Sequence, residues 1–480
     1  MRQSSDLDGM GWGILSQETS GANPYTAGLA RFVAGLRYED IPAEVKERIK
    51  LLMLDSLGCA IFGAELEWSR ILMNTLASVD SSTGCGVWGT ARRLSPPHAA
   101  LVNGTLVQSF ELDDVHRQGV LHVGAVTLPP LFAVAELNPG MSGRDFLTAA
   151  VAGYEVGPRV GMCMGQEHIV QGWHSGATVG VFSAAAGAAA GLKLPADKVV
   201  HALGIAGTQS AGLMAAQFGA MVKRMHAGRS AQSGLYAALL AKNGFTGITD
   251  VFESKYGGFC TTFSRSDDRF NLSELTAGLG ERFETMRVAL KFYSCVGTNH
   301  TTLDAIRMMQ AKRRFGPNDV ERIVVLGSKA TLEHTGWKYR PEGMTSAQLN
   351  LSYCVATLLI EGDVFVDQFT EAKVADPQRM ALAEKVDVRE DPKITALGSK
   401  FRHKVSVAVH LKDGVVLSET VEAPRGSEKS FAGASDVEAK FVKLASRVLP
   451  RAQVDKVMGF VLDIDRLSEI GALAAALVRA

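Results

Sequence analysis

Apolar residues recur at helical spacing through most of the first 270 positions. In YEDIPAEVKERIKLLMLDSLGCAIFGA, an acid-bearing turn and Pro42 precede Val45, Ile49, Leu52, Met53 and Leu57, which share one face of a 3.6-residue period. The segments FLTAAVAGYEVGPRVGM, GVFSAAAGAAAGL, VVHALGIAGTQSAGLM and SAQSGLYAALLAKNGF are apolar or small on nearly every side. That pattern predicts buried helices in a large bundle. Glycine costs helix propensity, so its frequency here points to helix backbones in close approach.

The pattern changes near Arg287. ERIVVLGSKATLEH carries a β-branched run, and HKVSVAVHLKDGVVLSETVEA alternates apolar and polar positions around Asp413-Gly414, which predicts a hairpin. Between them SAQLNLSYCVATLLIEG reads as a helix. After PRGSEKS the helical period returns in SDVEAKFVKLASRVLP and LSEIGALAAALVRA. The expected fold is therefore mainly α with an α+β second domain. A large helical domain is built from both chain ends (residues 25–286 and 426–480), an α+β lid (287–425) is inserted, and a polar Gly/Ser-rich leader covers residues 1–24.

Composition narrows the function classes. Lys+Arg and Asp+Glu number 50 each, so no whole-molecule field draws the chain to nucleic acid or an anionic membrane. No segment reads as a signal peptide or a membrane span. Six cysteines are scattered without a C-x-x-C pair, which suits neither a zinc site nor a disulfide framework and predicts reduced thiols in a cytoplasm. No G-x-G-x-x-G follows a strand, and no Walker loop or G-x-S-x-G elbow is present.

The chemistry concentrates in FELDDVHRQGVLHVGA, residues 110–125, between two apolar segments. It brings Glu111, Asp113, Asp114, His116 and His122 together. A metal site, an acid/base site and a polar turn whose carboxylates cap a helix are all compatible with it. The histidine spacing matches no standard metal motif, so no metal ligand is assigned. Further basic groups sit in glycine-rich, apolar text: His174, then Lys223, Arg224 and His226, then Lys291 and His300, and finally His334. Singly, each has an ordinary structural account. Jointly they predict a pocket for a small anionic acid, with acid/base chemistry and no cofactor.

The segments LVNGTLVQSFELDDVHRQGVLHVGAVTLPPLFAVAE, GWHSGATVGVFSAAAGAAAGLKL, GTQSAGLMAAQFGAMVKRMHAGRSAQSG, ALKFYSCVGTNHTTLDA and AQLNLSYCVATLLIEGD resemble, in order and spacing, the MmgE/PrpD family. That family includes 2-methylcitrate dehydratase, cis-aconitate decarboxylase and iminodisuccinate epimerase. The resemblance covers the chain from about Ala27 to its end. It implies a cofactor-free homodimer with a helical domain and an α+β lid, acting on small polycarboxylates. By position it assigns catalytic roles to His122, Asp113, Asp114, His174, Lys223 and Lys291. Glu111, His116, Arg224, His226 and His300 are expected to bind substrate. Two departures stand out. Glu111 occupies the place of the first acid in the family's D-F-D-D pattern, and Val296 falls where decarboxylase-like members carry a histidine.

Dehydration, decarboxylation and epimerisation share a carbanion-like species next to a carboxylate, which cations stabilise. The expectation is a 2-methylcitrate dehydratase-like lyase, with cis-aconitate decarboxylase or iminodisuccinate epimerase as alternatives. A metal-dependent hydrolase and a non-catalytic binding protein are the readings from other classes.

Overall fold

The computed structural model describes residues 24–165 and 167–479. The leader expected over 1–24 lies outside the described residues except for its last position. The fold is mainly helical with a small mixed sheet, as the periodicity predicts.

The bundle is organised around helices Ala43–Gly63, Pro96–Val107, Val123–Leu137, Gly143–Met164, Gly180–Gly191 and Val222–Lys242. Small residues set how closely they pack. A Cβ on Gly228 would lie 2.1 Å from the Leu101 carbonyl oxygen, and one on Gly104 would lie 2.7 Å from Gly228 Cα. The crossing of Pro96–Val107 with Val222–Lys242 therefore tolerates no side chain at either position. This crossing positions the first two turns of the second helix, which bear Lys223, Arg224 and His226. Leu52, Leu54, Leu57, Ile61, Leu106, Val126, Leu128 and Phe182 are fully buried in the same core. Each such side chain contributes about 1.5–3 kcal/mol by leaving water.

One helical expectation is shortened. VVHALGIAGTQSAGLM forms a helix only over Ala196–Gly207. Beyond it, Gly212 presses against Ala177, where a Cβ would come within 2.1 Å of the Ala177 Cβ. The Gly212 carbonyl instead accepts from His174 N at 3.2 Å, so the segment is used to hold a histidine rather than to extend a helix.

The four-stranded sheet has the spatial order Val386–Glu390, Val320–Gly327, Val405–Leu411, Val416–Val421. The first pairing is parallel and the other two are antiparallel. The predicted hairpin is the last pair. It turns at Asp413-Gly414, where Gly414 has φ +87°. Val405, Val407, Val409 and Leu411 alternate inward along the inner strand, as the sequence pattern requires. The segment SAQLNLSYCVATLLIEG forms two helices, Met344–Leu349 and Leu351–Glu361, because the Asn350 side chain breaks in and caps the second.

Val437, Phe441, Val454, Val457, Val461 and Leu473, from the last helices, share a core with Leu52 and Leu57. A second core gathers Leu303 and Ile306, the strand residues Ile323 and Val325, and Tyr353 and Leu358, together with Phe110 and Leu112. The acidic motif thus lies where the two cores meet. Among the described residues no helix is long and apolar enough to cross a membrane.

Candidate active site

The motif begins as the Pro96–Val107 helix tightens into a 3-10 turn at Gln108–Phe110. Glu111 then adopts a left-handed conformation, φ 55° and ψ 32°. For a residue with a Cβ this costs about 1 kcal/mol, so something must hold it. Its carboxylate provides the hold. Lys223 Nζ donates to Oε1, Arg224 Nη1 donates to the same oxygen at 2.9 Å, and Lys291 Nζ donates to Oε2 at 3.3 Å. Burial alone would raise the Glu111 pKa, but Lys223, Lys291 and Arg224 hold it well below the usual carboxylate range. Burial pushes the Lys223 pKa down, partly offset by Glu111, while Arg224 and Lys291 add to the fall.

Two further side chains lock this cluster from behind. Gln348 accepts from Arg224 Nη2 at 3.0 Å and donates to the carbonyls of Phe110 and Ser294 at 3.0 and 3.1 Å. Lys440, from the helix Ala434–Ala445, donates to Asp55 Oδ1 at 2.5 Å and to the Leu112 and Lys291 carbonyls at 2.7 Å each. This helix, near the end of the chain, therefore ties the acidic motif to the segment carrying Lys291.

The paired acids divide their work. Asp113 Oδ2 lies 2.9 Å from His122 Nδ1, and its other oxygen is 4.0 Å from Lys291 Nζ. Nδ1–H donates to that carboxylate, which leaves Nε2 as the nitrogen facing the cavity. Asp114 faces the other way. It accepts from Gly124 N at 2.9 Å and from Tyr154 Oη at 2.9 Å, capping the helix Val123–Leu137. Burial and the charge of Asp113 push its pKa up to about 8.

His174 Nδ1 meets His226 Nδ1 at 3.0 Å. Burial, then the charge of Lys223, depresses both rings, with His226 at about 4. Both are neutral at pH 7, so one must donate to the other.

Glu111, His122, His174, Lys223 and Lys291 line one cavity with Val296, Thr298, His334 and, from the sheet side, Arg402 and His403. Of the expected residues, Asp113, Asp114, Arg224 and His226 sit directly behind this lining. His116 does not join it. Its Nδ1 accepts from Gly119 N at 2.9 Å and its Nε2 donates to Glu284 at 3.1 Å, within the short pairing of Val115–His116 with Val288–Ala289. His300 is also outside the lining; its Nε2 meets the Cys295 carbonyl at 3.2 Å, and burial depresses its pKa to about 3. Both rings are instead engaged by protein atoms, so the structure does not bring them together with the other expected residues. The sequence reading did not single out Arg117, Thr298, Arg402 and His403, which line the same cavity. The adjacent Arg-His just before the alternating strand was the one available signal. Among the described residues no three His, Cys, Asp or Glu side chains gather to hold a metal ion.

Comparison with known proteins places this geometry in context. The MmgE/PrpD N-terminal domain matches residues 27–271, and the MmgE/PrpD C-terminal domain matches residues 293–464. A cis-aconitate decarboxylase-like protein of Aspergillus oryzae is 34% identical, over 94% of this chain and 96% of its own length. Cis-aconitate decarboxylase of Aspergillus terreus is 33% identical, over 95% of this chain and 96% of its own. A mitochondrial 2-methylcitrate dehydratase of Yarrowia lipolytica is 21% identical, over 92% of this chain and 88% of its own.

Proposed function

The chain belongs to the MmgE/PrpD family, and on that premise we propose that it is an enzyme that decarboxylates cis-aconitate or a closely similar polycarboxylate. This revises the preference for dehydration. The observation that carries the revision is the identity gap: the cis-aconitate decarboxylase and decarboxylase-like relatives from Aspergillus match at 32–34%, the 2-methylcitrate dehydratases at 21–22%.

The proposed chemistry uses groups already in place. In cis-aconitate, the carboxylate on the saturated carbon leaves as CO2. Its bonding pair forms a new C=C, and the old double bond's pair becomes enolate-like charge beside another carboxylate. Lys223 and Lys291 offset that charge. Protonated His122 delivers the proton to carbon from Nε2, with Asp113 stabilising the imidazolium, and solvent restores the proton afterwards. His174 and His226 are proposed to hold the Lys223 side of the cavity. The part of the chain over 287–425 is proposed to act as a lid on the helical remainder, 25–286 with 426–480. A cofactor-free cytoplasmic homodimer completes the proposal; the family resemblance supports the dimer, and six unpaired buried thiols suit a reducing compartment.

Dehydration stays as a second reading because Val296 lines the cavity with an apolar side chain where decarboxylase-like members are expected to carry a histidine. An assay of the purified protein with cis-aconitate, citrate, 2-methylcitrate and iminodisuccinate separates the readings. CO2 release from cis-aconitate is expected. Water loss from 2-methylcitrate at higher kcat/KM, without CO2, would replace decarboxylation by dehydration.

A further inference from the structure

Arg117 stands just after the Val115–His116 strand, lines the same cavity, and is only 9% exposed. Among the described residues its guanidinium has one ion-pair partner, Glu428, at 3.3 Å from Nη2. Nε and Nη1 are buried with no hydrogen-bond partner among the described residues. Leaving charged donors buried and unpaired costs at least as much as a lost hydrogen bond, so such a group is expected to be completed by a ligand. A guanidinium presents a fork that matches a carboxylate.

Arg402 lines the cavity too, and its backbone is pinned: its carbonyl accepts from Ser328 Oγ at 2.8 Å and from Thr331 Oγ1 at 3.2 Å. Burial, then the charge of Arg117, lowers the Arg402 pKa to about 10, so the two cations sense each other. His403 beside them accepts from Arg402 Nε at 3.0 Å and keeps a buried Nδ1 with no partner among the described residues. The contrast with the Glu111 cluster is one of saturation. There, Lys223, Arg224 and Lys291 already share a protein carboxylate. Around Arg117, donors remain open.

We propose that Arg117, supported by Arg402, is a specificity-determining clamp for a second carboxylate of the substrate, separate from the group held at Lys223 and Lys291. The inference rests on the reading of the cavity as a polycarboxylate site. Selection then follows from carboxylate number: an acid with one carboxylate can satisfy only one of the two cationic groups.

The test measures binding, so it does not depend on which reaction occurs. Butyrate, glutarate and propane-1,2,3-tricarboxylate are titrated by calorimetry and ligand-observed NMR into wild type, Arg117→Gln and Arg402→Gln. Arg117→Gln is expected to weaken the tricarboxylate about 10–100-fold and butyrate less than twofold. Arg402→Gln is expected to show the same order with a smaller loss. For a turned-over polycarboxylate, KM should rise while kcat stays within about threefold. Equal weakening of all three acids, no change in any, or a fall in kcat at constant KM would each overturn the clamp. Should Arg117→Gln fail to fold, Arg117→Lys keeps the charge without the fork and is read by the same criteria. If wild type binds the tricarboxylate selectively but releases no CO2 from cis-aconitate, the reaction falls and the clamp stands. If CO2 is released but selectivity survives Arg117→Gln, the reaction stands and the clamp falls.

Discussion

Two histidines of one motif each pair with a carboxylate and have opposite fates. His122 pairs with Asp113 at 2.9 Å, and His116, six positions earlier, pairs with Glu284 at 3.1 Å. By residue type and distance they are the same object. The His122 side chain is 13% exposed and lines the cavity, whereas that of His116 is fully enclosed. The number of free nitrogens separates them. Gly119 N and Glu284 use both nitrogens of His116, so it has nothing left to offer a ligand. Asp113 uses one nitrogen of His122 and leaves the other at the cavity. A histidine–carboxylate pair is therefore evidence of an active site only when one ring nitrogen remains unspent.

The largest effect expected from this contrast is on turnover. His122→Ala should lower kcat by about 10²–10⁴-fold, the range of a lost general acid, with an unchanged circular dichroism spectrum. Full activity in the folded variant would put His122 on the same footing as His116.

Lys223→Met and Lys291→Met come next. Each keeps the aliphatic stem and deletes one of three cations on Glu111, so the remaining two still hold that carboxylate. A fall in kcat/KM of about ten to several hundred-fold is expected, or roughly 1.4–3.5 kcal/mol of lost transition-state stabilisation. Wild-type kinetics in both variants would remove the lysines from the substrate site.

His116→Ala should invert the His122 pattern. It strips partners from Gly119 N and from buried Glu284, and about 2–4 kcal/mol of unfolding free energy should be lost in urea titrations. Turnover of the folded fraction should change less than about tenfold. A variant as stable as wild type but catalytically dead would break the comparison.

The smallest effect is on pH. Burial outweighs Glu284 and lowers the His116 pKa below its ordinary 6.5, while Glu284, although burial raises it, is drawn down to about 2 by His116, Arg287 and Arg282. A neutral ring donating Nε2–H to a carboxylate satisfies both shifts. Because the unfolded chain binds a proton below about 6.5 that the folded ring refuses, stability is present above that pH and is lost as pH falls beneath it. His226 and His300, depressed to about 4 and about 3, extend the same loss downwards. Replacing His116 by Gln should flatten the stability–pH slope below 6.5 by at most about 1.4 kcal/mol per pH unit, read from urea midpoints at about pH 5 to 7. An unaltered slope would mean that His116 titrates alike in both states.

Much of the architecture was legible because periodicity is local. The Ala43–Gly63 helix, the small-residue helices and the hairpin at Asp413-Gly414 follow from spacing, turn residues and a change of period. The helical reading of the segment up to Met214 ran too far because Gly212 answers to Ala177 and His174, which are distant in sequence. The lysines and histidines around the cavity were legible as residue types in a family order. Arg117, Arg402 and His403 were not, since an arginine in a polar turn looks the same whether solvent or a cavity receives it.

The sequence by itself determined which residues are available: helices able to pack closely at Gly104 and Gly228, a motif rich in acids and histidines, and balanced overall charge. Only the tertiary structure decided their duties. It turned Glu111 left-handed onto three cations, gave Asp113 to His122 and Asp114 to a helix cap, sealed His116 in a strand pair, and brought Lys440 from the last helices to pin Leu112 to Lys291. The reason is physical. Propensity and period act over a few residues, whereas the open or spent state of a hydrogen-bonding atom depends on partners the fold brings in, some of them a hundred or more positions away.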